Sequence, residues 1–120
     1  MKLQRMCFAV DLRDEAGVIE RYKRWHRPGG PSAGVTRSLR DAGIAELEIY
    51  LIGNRLFMIM EVEPHYSAEA KARADKDNRH VQEWNALMES LQQDLPLPKS
   101  DPASGKWRRM ERIYSLVTQP

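Results

Sequence analysis

With 120 residues, 42% of them hydrophobic and 30% charged, and a net charge of +2, the chain has the make-up of a single globular domain over residues 1–120, neither disordered nor fibrous. Lys and Arg alternate with Asp and Glu, as in Arg5 to Asp14 and Glu69 to Glu83, so no basic stripe marks a nucleic-acid binder, and the excess at Lys106, Arg108 and Arg109 is too short to make one. A lone cysteine, Cys7, excludes an internal disulfide and a cysteine-based metal cluster, and with no apolar leader or membrane-length run the expected compartment is the cytoplasm.

From Leu3 to Leu12 the apolar positions Met6, Phe8, Val10 and Leu12 alternate with Cys7, Ala9 and Asp11, the period of a strand buried on both faces. Asp11 or Asp14 is placed to cap the helix that follows, which carries Val18, Ile19, Tyr22, Trp25 and His26. Pro28 disfavours helical geometry at Arg27, and Gly29, Gly30 and Pro31 complete a stop, so His26 falls in or just past the last turn, near a mouth rather than deep in a core. Ser32 caps a second helix through Val35, Leu39 and Ala42, closed by Gly43.

The period then changes. Ile44 to Ile52 reads as a half-buried strand, with Ala45, Leu47, Ile49 and Leu51 on one face and Glu46, Glu48 and Tyr50 on the other. Gly53-Asn54 is a two-residue hairpin signal, and Arg55 to Glu63 returns as a more apolar strand that Pro64 ends. Ser67 to Ala74 is helix-prone, and after a polar break at Asp75 to Asn78 a clearer helix shows Val81, Trp84, Met88, Leu91 and Leu95 at helical spacing. The proline-bearing run Leu95 to Gly105 is a surface loop, and Trp107 to Val117 recovers strand character. This order predicts an α+β domain, the ferredoxin-like split βαβ arrangement with an antiparallel four-stranded sheet. Helices on one face of such a sheet leave the other to be covered, and a second copy closing a dimeric α/β barrel is the expected cover.

Tyr22 and His26 are the residues with chemistry to offer. At i and i+4 they share one helix face, and a phenol beside a ring that titrates near neutrality is acid/base equipment for a small polar ligand. Their plainer reading is that of amphipathic boundary residues with polar tips in water. Trp84 at helical spacing reads as core or as a platform for a sugar ring, and Tyr50 as exposed or turned into a cavity. No phosphate-cradling glycine loop or nucleophile elbow is present, and His26, His65 and His80 are too scattered in sequence to pair as metal ligands.

The run FAVDL, the Tyr-x-x-x-His-x-Pro segment Tyr22 to Pro28, the hairpin IAELEIYLIGNRLFMIMEVE, the segment Gln82 to Met88 and the stretch Glu111 to Leu116 together resemble the L-rhamnose mutarotase family over nearly the whole chain. That resemblance implies a small dimeric ferredoxin-like protein that interconverts the α and β anomers of a deoxyhexose without a cofactor. It implies that His26 is the catalytic proton donor, that Tyr22 binds the sugar one turn before it, and that Trp84, Asn85 and Tyr50 complete the substrate-binding set. Two positions depart from the family pattern: Asn85 stands where a second tryptophan is usual, and Leu47 where a sugar-contacting tyrosine is usual. The departures touch the sugar pocket and spare the acid/base pair, which brings L-fucose forward beside L-rhamnose as substrate. The expected partners are thus a monosaccharide and a second copy of the chain, with no nucleic acid and no membrane. Two rival readings are a cofactor-free oxygenase or decarboxylase, on fold analogy, and a non-enzymatic ligand- or RNA-binding module using the open sheet face, which lacks the aromatic-glycine pattern such modules carry.

Overall fold

The computed structural model describes residues 2–98 and 105–120. Strand β1 (Gln4–Leu12) is the axis of the sheet, with Val10 and Leu12 wholly buried. It pairs antiparallel with β3 (Arg55–Val62), which pairs with β2 (Ile44–Ile52), as alternation in the three segments predicts. Ala45 does not take the expected place on the Leu47 face: it is the extra residue of a bulge, and Ile44 shares that face instead, because the register steps from Ile44 opposite Val62 to Glu46 opposite Glu61. The β2–β3 turn uses Gly53 at φ +60° with no positive φ at Asn54, the combination of a type II′ hairpin. Asn54 then locks the turn onto β1, donating through Nδ2 to the Leu12 carbonyl at 2.9 Å.

Helices α1 (Ala16–Trp25), α2 (Ala33–Asp41), α3 (Ala68–Lys76) and α4 (Arg79–Leu91) follow the expected order. Val18 and Tyr22 of α1 and Met88 and Leu91 of α4 bury against Val10, Leu12 and Leu56, forming one core, while Leu39 of α2 and Tyr66 pack on a second centred on Ile44, Met60 and Val62. Both cores lie on one face of the sheet. The other face, with Tyr50 and Ile52, is not covered by any helix among the described residues.

Several expectations are corrected. Neither Asp11 nor Asp14 caps α1. The N-cap is Glu15, without a side-chain cap bond, and Asp11 is buried and held by Arg55, whose Nε and Nη2 donate to its two carboxylate oxygens at 2.8 and 3.2 Å. Ser32 does sit at the N-cap of α2, but its hydroxyl makes no cap bond. Helix α3 runs on to Lys76, its last turn tied by Lys71 to Asp75, so the break shrinks to Asp77 and Asn78. Helix α4 stops at Leu91 because the chain turns extended there, and Leu95 is buried beyond the helix rather than on it.

The largest difference concerns the fourth strand. Instead of one strand over Trp107 to Val117, the far edge of β1 is completed by two short pieces, β4 (Gln92–Gln93) beside Asp11 and Leu12 and β5 (Arg108–Arg109) beside Phe8 and Ala9. The sheet is therefore five-stranded, with the order β2-β3-β1-β4 and β5 also on β1. Past Met110 the residues lie off the sheet, ending in a short 3₁₀ turn over Leu116–Thr118. Of the expected loop Leu95 to Gly105, residues 99–104 lie outside the described residues.

Candidate active site

The end of α1 builds the site. Lys23 and Arg24 put positive charge in its last turn, and His26 is the C-cap residue. The stop that follows is one tight turn: the Gly30 amide donates to the Arg27 carbonyl at 2.7 Å, Pro28 occupies the second position and Gly29 the third at φ +85°. That is the residue pattern a type II turn uses, since proline presets one negative φ and glycine takes the positive one without a Cβ clash.

His26 is fixed from two sides. Its Nδ1 lies 2.7 Å from the Tyr22 carbonyl, and a carbonyl only accepts, so Nδ1 carries a proton and Nε2 is the nitrogen left free. The imidazole stacks on the Tyr22 ring with centroids 4.3 Å apart and meets the Trp84 ring edge-on at 5.3 Å. Trp25 braces Trp84 in turn. Partial burial lowers the His26 pKa below its ordinary value, with the bond to the Tyr22 carbonyl opposing that shift only in part. The ring is thus mostly neutral at pH 7, with an unprotonated Nε2.

Tyr22 sits behind the histidine. Its side chain is 3% exposed, its phenol is hydrogen-bonded to the Gln92 side chain, and burial pushes its pKa up to about 12. Such a phenol stays protonated at physiological pH, so it orients its neighbours and takes no proton. Gln92 was not singled out by the sequence; the only signal it gives there is a glutamine following an apolar helix end.

Beside His26 opens a cleft of about 1050 Å³, walled by the turn around Pro28, the length of α2 with Thr36, Arg37 and Arg40, and Leu47 of β2. Its size is at the upper end of small-molecule sites. Of the aromatic cluster only His26 lines it. The structure thus brings Tyr22, His26 and Trp84 together. Asn85 follows Trp84 on α4 and is exposed, and Leu47, the other departure, shares the cleft with His26. Tyr50 does not join them within one chain: it is 53% exposed and lies on the opposite face of the sheet. His65 pairs with Glu63 and His80 packs over Gly34, both apart from this cluster. Among the described residues no group of His, Cys, Asp and Glu is placed to hold a metal, and no helix is long and apolar enough to cross a membrane.

The profile of the family described as L-rhamnose mutarotase matches residues 5–116. The chain belongs to that family. It is 46% identical over 116 residues to a protein of Xanthomonas campestris pv. campestris named L-fucose mutarotase, covering 97% of this chain and 90% of that one. Its fold is similar to the crystal structure of an L-rhamnose mutarotase from Formosa agariphila, with a TM-score of 0.67 at 21% identity, covering 94% of this chain and 98% of the other. Membership in the mutarotase family assigns the reaction class, interconversion of the α and β anomers of a 6-deoxyhexose, and decides against the oxygenase and binding-module readings.

Proposed function

We propose that this mutarotase acts on L-fucose and L-rhamnose, with His26 as the group that moves the proton and the cleft beside it as the sugar site. The observation that carries the reading is the His26 ring, anchored through Nδ1 and left with a free Nε2 on the wall of the cleft. Anomer exchange needs the proton of the O1 hydroxyl removed, the C1–O5 bond broken and a proton delivered to O5; rotation about C1–C2 and the reverse steps close the ring on its other face. Because O1 and O5 share carbon C1, one imidazole serves both transfers: neutral Nε2 takes the O1 proton and the imidazolium returns it to O5. Tyr22 and Trp84 hold the ring in place for this, and neither metal nor nucleotide enters the balance. Anomer-exchange NMR on a panel of free sugars tests the reading, which requires accelerated exchange of 6-deoxyhexoses over the uncatalysed rate.

The protonation state gives a pH dependence with a definite sign. A neutral imidazole that must accept a proton works above its pKa, and burial sets that pKa below the usual histidine value of about 6.5. Enzyme-catalysed kcat/KM is therefore expected to rise with pH through a midpoint below about 6.5 and to level off by neutrality. A profile that falls between pH 5 and 7 contradicts a histidine that begins as base.

Preference for L-fucose is supported by the departures at Leu47 and Asn85 and by the 46% identical relative of that name. A pocket contact is worth about 1–3 kcal/mol of discrimination, so Leu47→Tyr with Asn85→Trp is expected to move the ratio of exchange rates toward L-rhamnose by several-fold or more. Leu47→Tyr should carry most of the shift, because Leu47 lines the cleft. A folded double variant with the parent ratio refutes this account of specificity. We also propose that the protein works as a homodimer, since the sheet face that no helix covers carries exposed Tyr50 and Ile52.

A further inference from the structure

The cleft beside His26 is longer than one neutral monosaccharide needs. One side of it is a single stripe of α2, in which Ala33, Thr36, Arg37, Arg40 and Asp41 follow helical spacing, so it runs about 12 Å along the helix at 1.5 Å per residue. Val35 is buried and Leu39 packs on the core, which holds the opposite side of α2 against the body of the protein and leaves this stripe to the cleft.

The stripe is cationic. Arg37 and Arg40 stand on it, Arg27 joins them from the turn after α1, and Asp41 is the one carboxylate among the described lining residues. All three arginines are exposed, and among the described residues none of them pairs with a carboxylate. A guanidinium stays charged at any physiological pH, so the cleft keeps a surplus of positive charge beside His26. A neutral deoxyhexose offers hydroxyls to this surface and no charge to balance it. A carboxylate or a phosphate ester does balance it, because the planar fork of an arginine meets either one in two parallel hydrogen bonds.

We propose that the cleft also takes reducing sugars that carry an oxyanion at C6, held by Arg37 and Arg40 with Arg27 beside them, while His26 exchanges their anomers. Replacing the methyl group of a 6-deoxyhexose with a carboxylate gives a hexuronate, and replacing it with a phosphorylated hydroxymethyl group gives a hexose 6-phosphate. C1, O1 and O5 are the same in all three. The reaction therefore balances in the same way: O1 gives its proton to Nε2, the C1–O5 bond breaks, O5 receives the proton, and the reverse steps close the ring while the oxyanion is unchanged. C6 is carried by C5, on the far side of O5 from C1, and the length of the cleft along α2 gives its charge room away from the imidazole. The inference rests on the sugar site proposed above and widens its substrates from neutral to anionic sugars.

Anomer-exchange NMR with L-galacturonate and L-galactose 6-phosphate tests it, since both keep the ring stereochemistry of L-fucose and change C6 alone. Each sugar, L-fucose included, is compared with its own rate without enzyme. At least one anionic sugar should be accelerated; the first alone assigns a carboxylate to the arginines, the second alone a phosphate ester. Arg37→Gln with Arg40→Gln, shown to be folded by circular dichroism, should lower kcat/KM for the anionic sugar relative to that for L-fucose by about tenfold or more, through loss of charge-assisted hydrogen bonds. Raising the ionic strength from about 0.01 M to about 0.15 M, which shortens the screening length from about 30 Å to about 8 Å, should lower the same ratio in the parent enzyme several-fold. Anionic sugars that exchange at their uncatalysed rates while L-fucose is accelerated overturn the proposal and leave the sugar site standing. A ratio that neither salt nor the arginine substitutions move overturns it as well, and a protein that accelerates none of the three sugars overturns the sugar site itself.

Discussion

His26→Ala is expected to leave a folded protein whose anomer exchange is lower by about two to four orders of magnitude, the scale on which a positioned general acid/base contributes. The imidazole is only partly buried and its one hydrogen bond is to the Tyr22 carbonyl within the same helical turn, so its removal opens no large void in the core. His26→Gln separates proton transfer from shape, because an amide fills similar space and hydrogen-bonds without cycling a proton near neutrality. Both variants should lose kcat together, with melting temperatures near that of the parent. Exchange at the parent rate in a folded His26→Ala protein removes this residue from the mechanism.

Gly30→Ala is expected to damage the site from outside it. A Cβ on residue 30 stands 2.0 Å from the Trp25 carbonyl oxygen and 2.7 Å from its carbon, both backbone atoms of the last turn of α1. Backbone cannot swing aside as a flexible side chain does, so the turn or the helix end must move, and His26 moves with it. The strain belongs with the overpacking costs of about 1–3 kcal/mol, enough to lower Tm by several degrees in a domain of this size. Displacing a catalytic group by about 1 Å can cost on the order of a hundredfold in rate, so activity should fall further than stability alone accounts for. Gly17→Ala is the control: a Cβ there meets nothing within 4 Å and lies in a helix, so neither stability nor exchange should suffer. Equal behaviour of the two alanine variants refutes the role assigned to the turn.

Features carried by local periodicity were legible in the sequence. Alternation gave β1, β2 and β3, the Gly53-Asn54 pair gave the hairpin, and the i, i+4 spacing of Tyr22 and His26 put their rings in contact. The features that escaped depend on what lies across space. The stretch Trp107 to Val117 has strand character, but a strand also needs a free edge, and β1 offers Arg108 and Arg109 only a short length because Gln92 and Gln93 take the rest. Asp11 looked like a helix cap because it precedes α1, yet Arg55 sits opposite it in the sheet and claims its carboxylate. Gln92 escaped because its partner Tyr22 is seventy residues earlier, joined to it only once α4 has packed. Tyr50 alternates with Leu47 and Ile49, so the pleat sends it to the face opposite the cleft.

The way β1 is flanked has a consequence for the making of the protein. Every one of its hydrogen-bonded neighbours comes later in the chain: β3 at Arg55–Val62, then Gln92–Gln93, then Arg108–Arg109. A ribosome adding about 5–20 residues per second exposes β1 for seconds before its first partner emerges, and for longer before its other edge is filled. The central strand, apolar along much of its length, is therefore the segment most in need of chaperone shelter during synthesis, and cooperative folding must wait until nearly all of these 120 residues have left the exit tunnel.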